Sequence, residues 1–203
     1  MIGPMRKSLV LLFLGLATAA HADDWFSRGH GRAPTKDQIF VCHGYTCRIV
    51  TPVRFGADEI AKIAGSLARG PTDAVAERDA ISMAVQEFET IVGARIGTTN
   101  DLPGMQFGQG TDGQMDCIDE ATNTTGLLIF LAGHGYLTHH TVEAPAARGF
   151  FVDGRYPHNT AVLRDTSSGE KWAIDSWPRA NALPPVIMRL KEWKRSRVGR
   201  LDS

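Results

Sequence analysis

The chain has 203 residues, 43% of them hydrophobic, and 22 Lys and Arg balance 22 Asp and Glu. That is one domain's worth of sequence with enough apolar content for a real core. The neutral balance excludes the overall basic footprint of a nucleic-acid binder, so no nucleic acid is expected as a partner.

The chain opens on an address. Arg6-Lys7 precede an uncharged, Leu-rich run over residues 8–20, and Ala20-His21-Ala22 supplies small residues at the two positions a signal peptidase reads. The run is shorter than the about 20 apolar residues a membrane span needs, and no lipobox cysteine follows it. Residues 1–22 are therefore read as a signal peptide, with an uncleaved N-terminal anchor as the alternative. The mature protein is expected to be periplasmic or secreted, with no stable membrane anchor. Removal takes Arg6 and Lys7 and no acid, which leaves the mature chain slightly acidic.

Residues 23–56 form an N-terminal extension before the main domain, 57–203. Its first part, 23–37, is polar with Gly and Pro and reads as a mobile lead-in in which His30 is solvated. Cys42 and Cys47 then enclose four residues between two extended flanks, 38–41 and 48–53. In an oxidising compartment this reads as a small disulfide-closed loop. The spacing is not that of a Cys-x-x-Cys oxidoreductase, and His43 with two cysteines this close cannot easily surround an ion. Cys117 is then the odd one out: buried and inert, linked to another chain, or kept reduced because it reacts.

From Gly56 the pattern turns helical. Ile60, Ile63, Ala64 and Leu67 recur at helical spacing up to Gly70-Pro71. A second helix is expected from a Thr72 cap to Gly93, with Val75, Ile81, Val85, Phe88, Ile91 and Val92 facing the core. Glu77, Arg78, Glu87 and Glu89 fall mostly off that stripe. The Gly-rich stretch 97–113 is a loop long enough to line a site. A third helix starts at Asp116 and stops near Gly133, apolar over most of its circumference and hence central. It carries Cys117 in its first turn, where free N–H groups and the helix dipole favour a thiolate. Asp116 and Asp119 work against that unless they cap backbone donors.

Downstream, His139-His140-Thr141-Val142 is expected to be a strand. Asn159–Arg164, a turn at 166–169 and Lys171–Asp175 read as an antiparallel hairpin. It brings His158 and Asp175 to matching strand ends, where cross-strand side chains meet, subject to a slip in register if Gly169 sits in a bulge. His134, His139 and His140 lie close in sequence, but the last two point to opposite faces of a strand and no further ligand joins them, so no metal is expected. The cations Arg189, Lys191, Lys194, Arg195, Arg197 and Arg200 read as a solvated tail.

Cys, His and Asp in that order, on helix, strand and next strand, resemble the transglutaminase-like cysteine proteinases of the papain-like superfamily, in their bacterial exported branch. The resemblance covers about residues 115–177: Asp-Cys-x-Asp at the helix start, His-x-x-Ala-Val, and Trp-x-x-Asp-x-Trp. It implies an α+β fold of papain-like or transglutaminase-like core, with N-terminal helices and a central Cys-bearing helix packed on an antiparallel sheet. It further implies a catalytic triad of Cys117 as nucleophile, His158 as general base and then acid, and Asp175 orienting the imidazole. The activity would be that of a cysteine hydrolase or acyl transferase, peptidase, amidase or transglutaminase, on a protein or peptide substrate. Some of those proteinases carry an acid directly after the cysteine and depend on calcium. Ile118 stands there in this chain, so no cofactor is carried over. A second oxyanion donor is expected from the preceding loop, with Gln109 and Gln114 as candidates, and Trp177 as a wall of the cleft or part of the core. Two other readings stay open: a non-catalytic binding or structural module of the same fold, and a Cys117 disulfide to another chain.

Overall fold

A computed structural model describes residues 25–28, 30–104, 111–149 and 157–196. The leader 1–22, Gln109, Arg197 and Arg200 lie outside the described residues. The elements run β1 (Gln38–His43), β2 (Ile49–Arg54), α1 (Ala57–Ala64), a 3-10 turn (Leu67–Arg69), α2 (Ala74–Ile96) and α3 (Cys117–Gly133). They continue as β3 (His140–Arg148), β4 (His158–Asp165), β5 (Lys171–Asp175), β6 (Val186–Arg189) and α4 (Leu190–Trp193). The architecture is mixed helix and sheet with antiparallel pairing throughout: β1 with β2 in one ribbon, and β3-β4-β5-β6 in a four-stranded sheet.

The hydrophobic pattern explains why α3 sits in the middle. Leu127, Leu128, Phe130 and Leu131 are buried on several sides of it, so it must be covered on both faces. The ribbon covers one with Ile39, Val41 and Val53, and the sheet covers the other with Ala161, Leu163 and Ile174. Ile81, Val85, Phe88 and Val92 of α2 close the same core. The N-terminal extension is thus part of that core, and its lead-in is not a loose end. Trp25 donates its indole N–H to Thr122 on α3 at 3.0 Å and stacks on His30.

Several sequence expectations are corrected. The first helix ends at Gly65 and reaches Gly70 only through the tighter 3-10 turn. Asp73, not Thr72, caps α2, its carboxylate accepting the N–H of Val75 and Ala76. The helix then runs through Gly93 to a left-handed Gly97. Gly93 serves close approach instead of termination, because a Cβ there would press on the backbone of Thr99 and the side chain of Asn181. Val75 is exposed, whereas Glu77, Arg78 and Glu89 are buried. Glu77 is buried because the start of β3 supplies its donors: Thr138 N–H and hydroxyl, His139 N–H and His140 Nδ1. Arg78 can only donate, so His140 Nε2 accepts from it at 3.0 Å and the ring proton sits on Nδ1. Arg78 also lies 3.8 Å over the Trp172 ring.

Gly113 closes the loop that returns the chain to α3. It is left-handed at φ 76°, and an added Cβ would run into the Gly97 carbonyl at the end of α2. Gly113→Ala combines left-handed strain of about 1–2 kcal/mol with overpacking against backbone of about 1–3 kcal/mol. We expect it to lower unfolding free energy by about 2–4 kcal/mol in urea titration; a loss under about 0.5 kcal/mol would mean the loop has slack.

Candidate functional site

Cys117 is the first residue of α3, and Asp116 before it is an N-cap whose Oδ1 accepts the N–H of Ile118 at 3.0 Å and Asp119 at 2.9 Å. An extended aspartate whose carboxylate takes the first N–H groups is the local reason the helix begins there. The sulfur is buried, and it lies against the two residues that flank His158 in sequence. It approaches the Pro157 carbonyl at 3.9 Å, and the Asn159 amide donates toward it at 3.9 Å.

His158 opens β4, and Asp175 closes β5. The strands pair Ala161 with Ile174 and Val162 with Ala173. Extending that register sets Asp175 opposite Thr160, so Asp175 meets His158 on the diagonal, not directly across. The imidazole spans the diagonal, Nε2 to Asp175 Oδ2 at 2.7 Å, with both side chains buried. Gly169 takes its left-handed turn outside the paired residues, held by the Asp165 carbonyl, and causes no slip. A carboxylate only accepts, so Nε2 carries the proton and Nδ1 presents a lone pair. Nδ1 is buried and has no hydrogen-bond partner among the described residues.

Two aromatic rings fix the imidazole. Trp177 lies 4.6 Å from it between centroids and Trp193 lies 5.3 Å away. Trp177 is therefore both wall and core, 2% exposed. The Trp193 indole also donates to Asp175 Oδ2 at 2.7 Å, so one buried oxygen receives two donors. The sequence reading missed Trp193 and Asn159. The cationic tail around Trp193 concealed a fourth strand and a one-turn helix that return to the site. Asn159 was visible as the residue after His158, but nothing local marked it.

The electrostatics depart from the helix-dipole expectation. Burial pushes the Cys117 thiol up to about 11; Asn159 pulls the other way, and the Asp116 and Asp175 charges add to the rise. Gln114 is also taken: its Oε1 accepts Leu102 N–H at 3.1 Å and its Nε2 donates to the Asn100 carbonyl at 2.9 Å. A buried amide with both ends bonded fixes the loop before α3. Cys42 and Cys47 are disulfide-bonded and Cys117 is a free thiol. His139 donates through Nε2 to the Pro71 carbonyl at 3.0 Å, and His134 donates through Nε2 to the Lys36 carbonyl at 2.8 Å. The described histidines of this group are therefore spent on separate structural contacts.

The disulfide is compatible with an extracellular or periplasmic location, and no helix among the described residues is long and apolar enough to cross a membrane. Comparison of the chain with protein-family models, curated proteins and solved structures finds no match.

Proposed function

We propose that the protein is an exported cysteine hydrolase or acyl transferase of papain-like or transglutaminase-like core, acting on a protein or peptide carbonyl through Cys117, His158 and Asp175. The observation that carries this reading is the buried imidazole. Asp175 engages Nε2 at 2.7 Å, Nδ1 is left without a partner among the described residues, and the flanks of His158 touch the Cys117 sulfur. A raised thiol pKa fits general-base attack, in which the proton passes from sulfur to Nδ1 as the sulfur–carbon bond forms, better than a resting thiolate. Asp175 then faces the imidazolium so produced. The Asp116 cap takes the N–H of Ile118 and Asp119 and does not use that of Cys117. That N–H and the Asn159 amide are the donors we assign to the oxyanion. The acyl-enzyme passes to water or to an amine.

A non-catalytic module of the same fold is the second reading, and the thiol pushed up to about 11 by burial is the observation that favours it. The rate of Cys117 carboxamidomethylation against pH separates the two. An activated pair should label well below pH 8 and slow at least tenfold in His158→Ala. A rate that climbs only toward the alkaline titration of a buried thiol, unchanged in His158→Ala, would sink the enzyme reading.

A further inference from the structure

Two carboxylates flank Cys117 on α3, and both are gripped from outside the helix. Asp116 gives one oxygen to the cap, while Oδ2 accepts the Thr46 N–H at 3.0 Å. Asp119 has no exposed surface and accepts the Tyr45 N–H at 2.8 Å on one oxygen and the Cys47 N–H at 2.7 Å on the other. Three successive N–H groups of one loop thus converge on the first turn of one helix. They can do so because Tyr45, Thr46 and Cys47 are all left-handed, at φ 71°, 56° and 54°, a region residues with side chains disfavour. The Cys42–Cys47 bond closes the loop in that shape. Cys42 is itself tied to α3, its N–H donating to Asn123 Oδ1 at 2.7 Å and its carbonyl accepting from Asn123 Nδ2 at 2.8 Å. Consecutive N–H groups in such a turn form an anion receptor. Here the anion is the helix start that holds the cysteine.

We propose that the disulfide loop is a clamp that positions Cys117 through Asp119, so that the nucleophile is assembled only once Cys42 and Cys47 are joined. The proposal rests on reading Cys117 as a nucleophile. With the bond open, the three left-handed residues relax to ordinary backbone and their N–H groups turn away. Asp119 is then a buried carboxylate beside Asp116 that has lost both loop donors and keeps the Asp116 N–H at 3.3 Å, and the turn between them, which carries Cys117, must shift. Closing the clamp is an oxidation. The thiols of Cys42 and Cys47 lose two protons and two electrons to a disulfide-bearing oxidant protein, whose own disulfide becomes two thiols. Before that exchange the hydrolase is silent, and its activity begins where such oxidants operate.

The test uses the full mature chain, oxidised or treated with a phosphine reductant. Carboxamidomethylation of the Cys117 peptide is followed by mass spectrometry from pH 5 to 9. Reduction should slow Cys117 labelling at pH 7 at least tenfold and move its profile to higher pH, and Cys42→Ala/Cys47→Ala without reductant should match. An unchanged rate overturns the clamp. So does a faster one, which is what a loop merely shielding a buried sulfur would give. Should the double variant lose its fold by circular dichroism, Asp119→Asn in the oxidised protein carries the test: the same slowing is expected, and an unmoved pH profile overturns it. If His158→Ala slows labelling while reduction does not, the clamp alone fails. If His158→Ala changes nothing, the nucleophile reading fails and the clamp with it.

Discussion

Asp175→Asn should cut the rate of acyl-enzyme formation from an activated ester about 10³- to 10⁴-fold while leaving the protein folded. Oδ2 of Asp175 accepts from both His158 and Trp193. An amide replaces that oxygen in one of two ways, and both impair the base. If the amide oxygen faces the ring, the contacts survive, but the charge that stabilises imidazolium is gone. If the NH2 faces the ring, Nε2 must accept, the proton moves to Nδ1, and the lone pair needed by the thiol disappears. Trp193→Phe is the companion variant, because it keeps an aromatic ring beside His158 and removes one N–H. It should cost about 1 kcal/mol of stability, the worth of one hydrogen bond, and at most about tenfold in rate. A folded Asp175→Asn protein that loses less than tenfold would show that Asp175 does not orient the imidazole. Stopped-flow acylation with thermal melts as the folding control makes the measurement.

What could be read from the sequence was local chemistry. Asp116 before an apolar run announces a helix start, and that placed Cys117 in the first turn. The short strand-like runs Asn159–Arg164 and Lys171–Asp175, with turn residues between them, announced a hairpin. Partnerships made by distant elements left no such trace. The 3.6-residue period put Glu77, Arg78 and Glu89 mostly off the core-facing stripe, yet all three are buried. Burial became possible only because the start of β3 and the loop after β5 bring donors to them, Ala182 N–H reaching Glu89 Oε2 at 2.7 Å. Gly93 looks like a stop by propensity, yet the helix is continuous from nineteen residues before it to three after, and the missing Cβ admits Thr99. Trp193 follows a Pro-Pro pair and sits among cations, so its place beside Asp175 depends wholly on β6 joining the sheet.

Stability should fall on both sides of a maximum near pH 4 to 4.5, with different acids responsible for each side. Burial alone would raise the Glu77 carboxyl, but His140 and the donors at Thr138 and His139 outweigh it and hold the group at about 2. Its folded value lies below its unfolded one. The stabilisation is therefore complete above about pH 4.5 and lost as pH falls toward 2, about 3 kcal/mol in all. Removing the carboxylate in Glu77→Ala should cost about 3–5 kcal/mol at pH 6, since it strands buried donors. The opposite sign holds beside α3. Burial pushes Glu89 and Asp101 up to about 7 and Glu120 well above its ordinary range, and neighbouring carboxylates add to the rise at Asp101 and Glu120. Glu89 and Glu120 border a cavity of about 10 Å³ shared with Asn181 and Thr124. Folded values above unfolded ones mean a contribution fully present below about pH 4 that erodes as pH rises through 7. Glu120→Gln should consequently stabilise the protein by about 2 kcal/mol at pH 8, where it replaces a buried charge, and leave it unchanged at pH 4.5, where amide replaces acid. Urea midpoints for wild type, Glu77→Ala and Glu120→Gln at pH 3, 4.5, 6 and 8 test both branches. A Glu120→Gln protein weaker than wild type at pH 8 would mean that the carboxylate is compensated, and the alkaline branch would then have another origin.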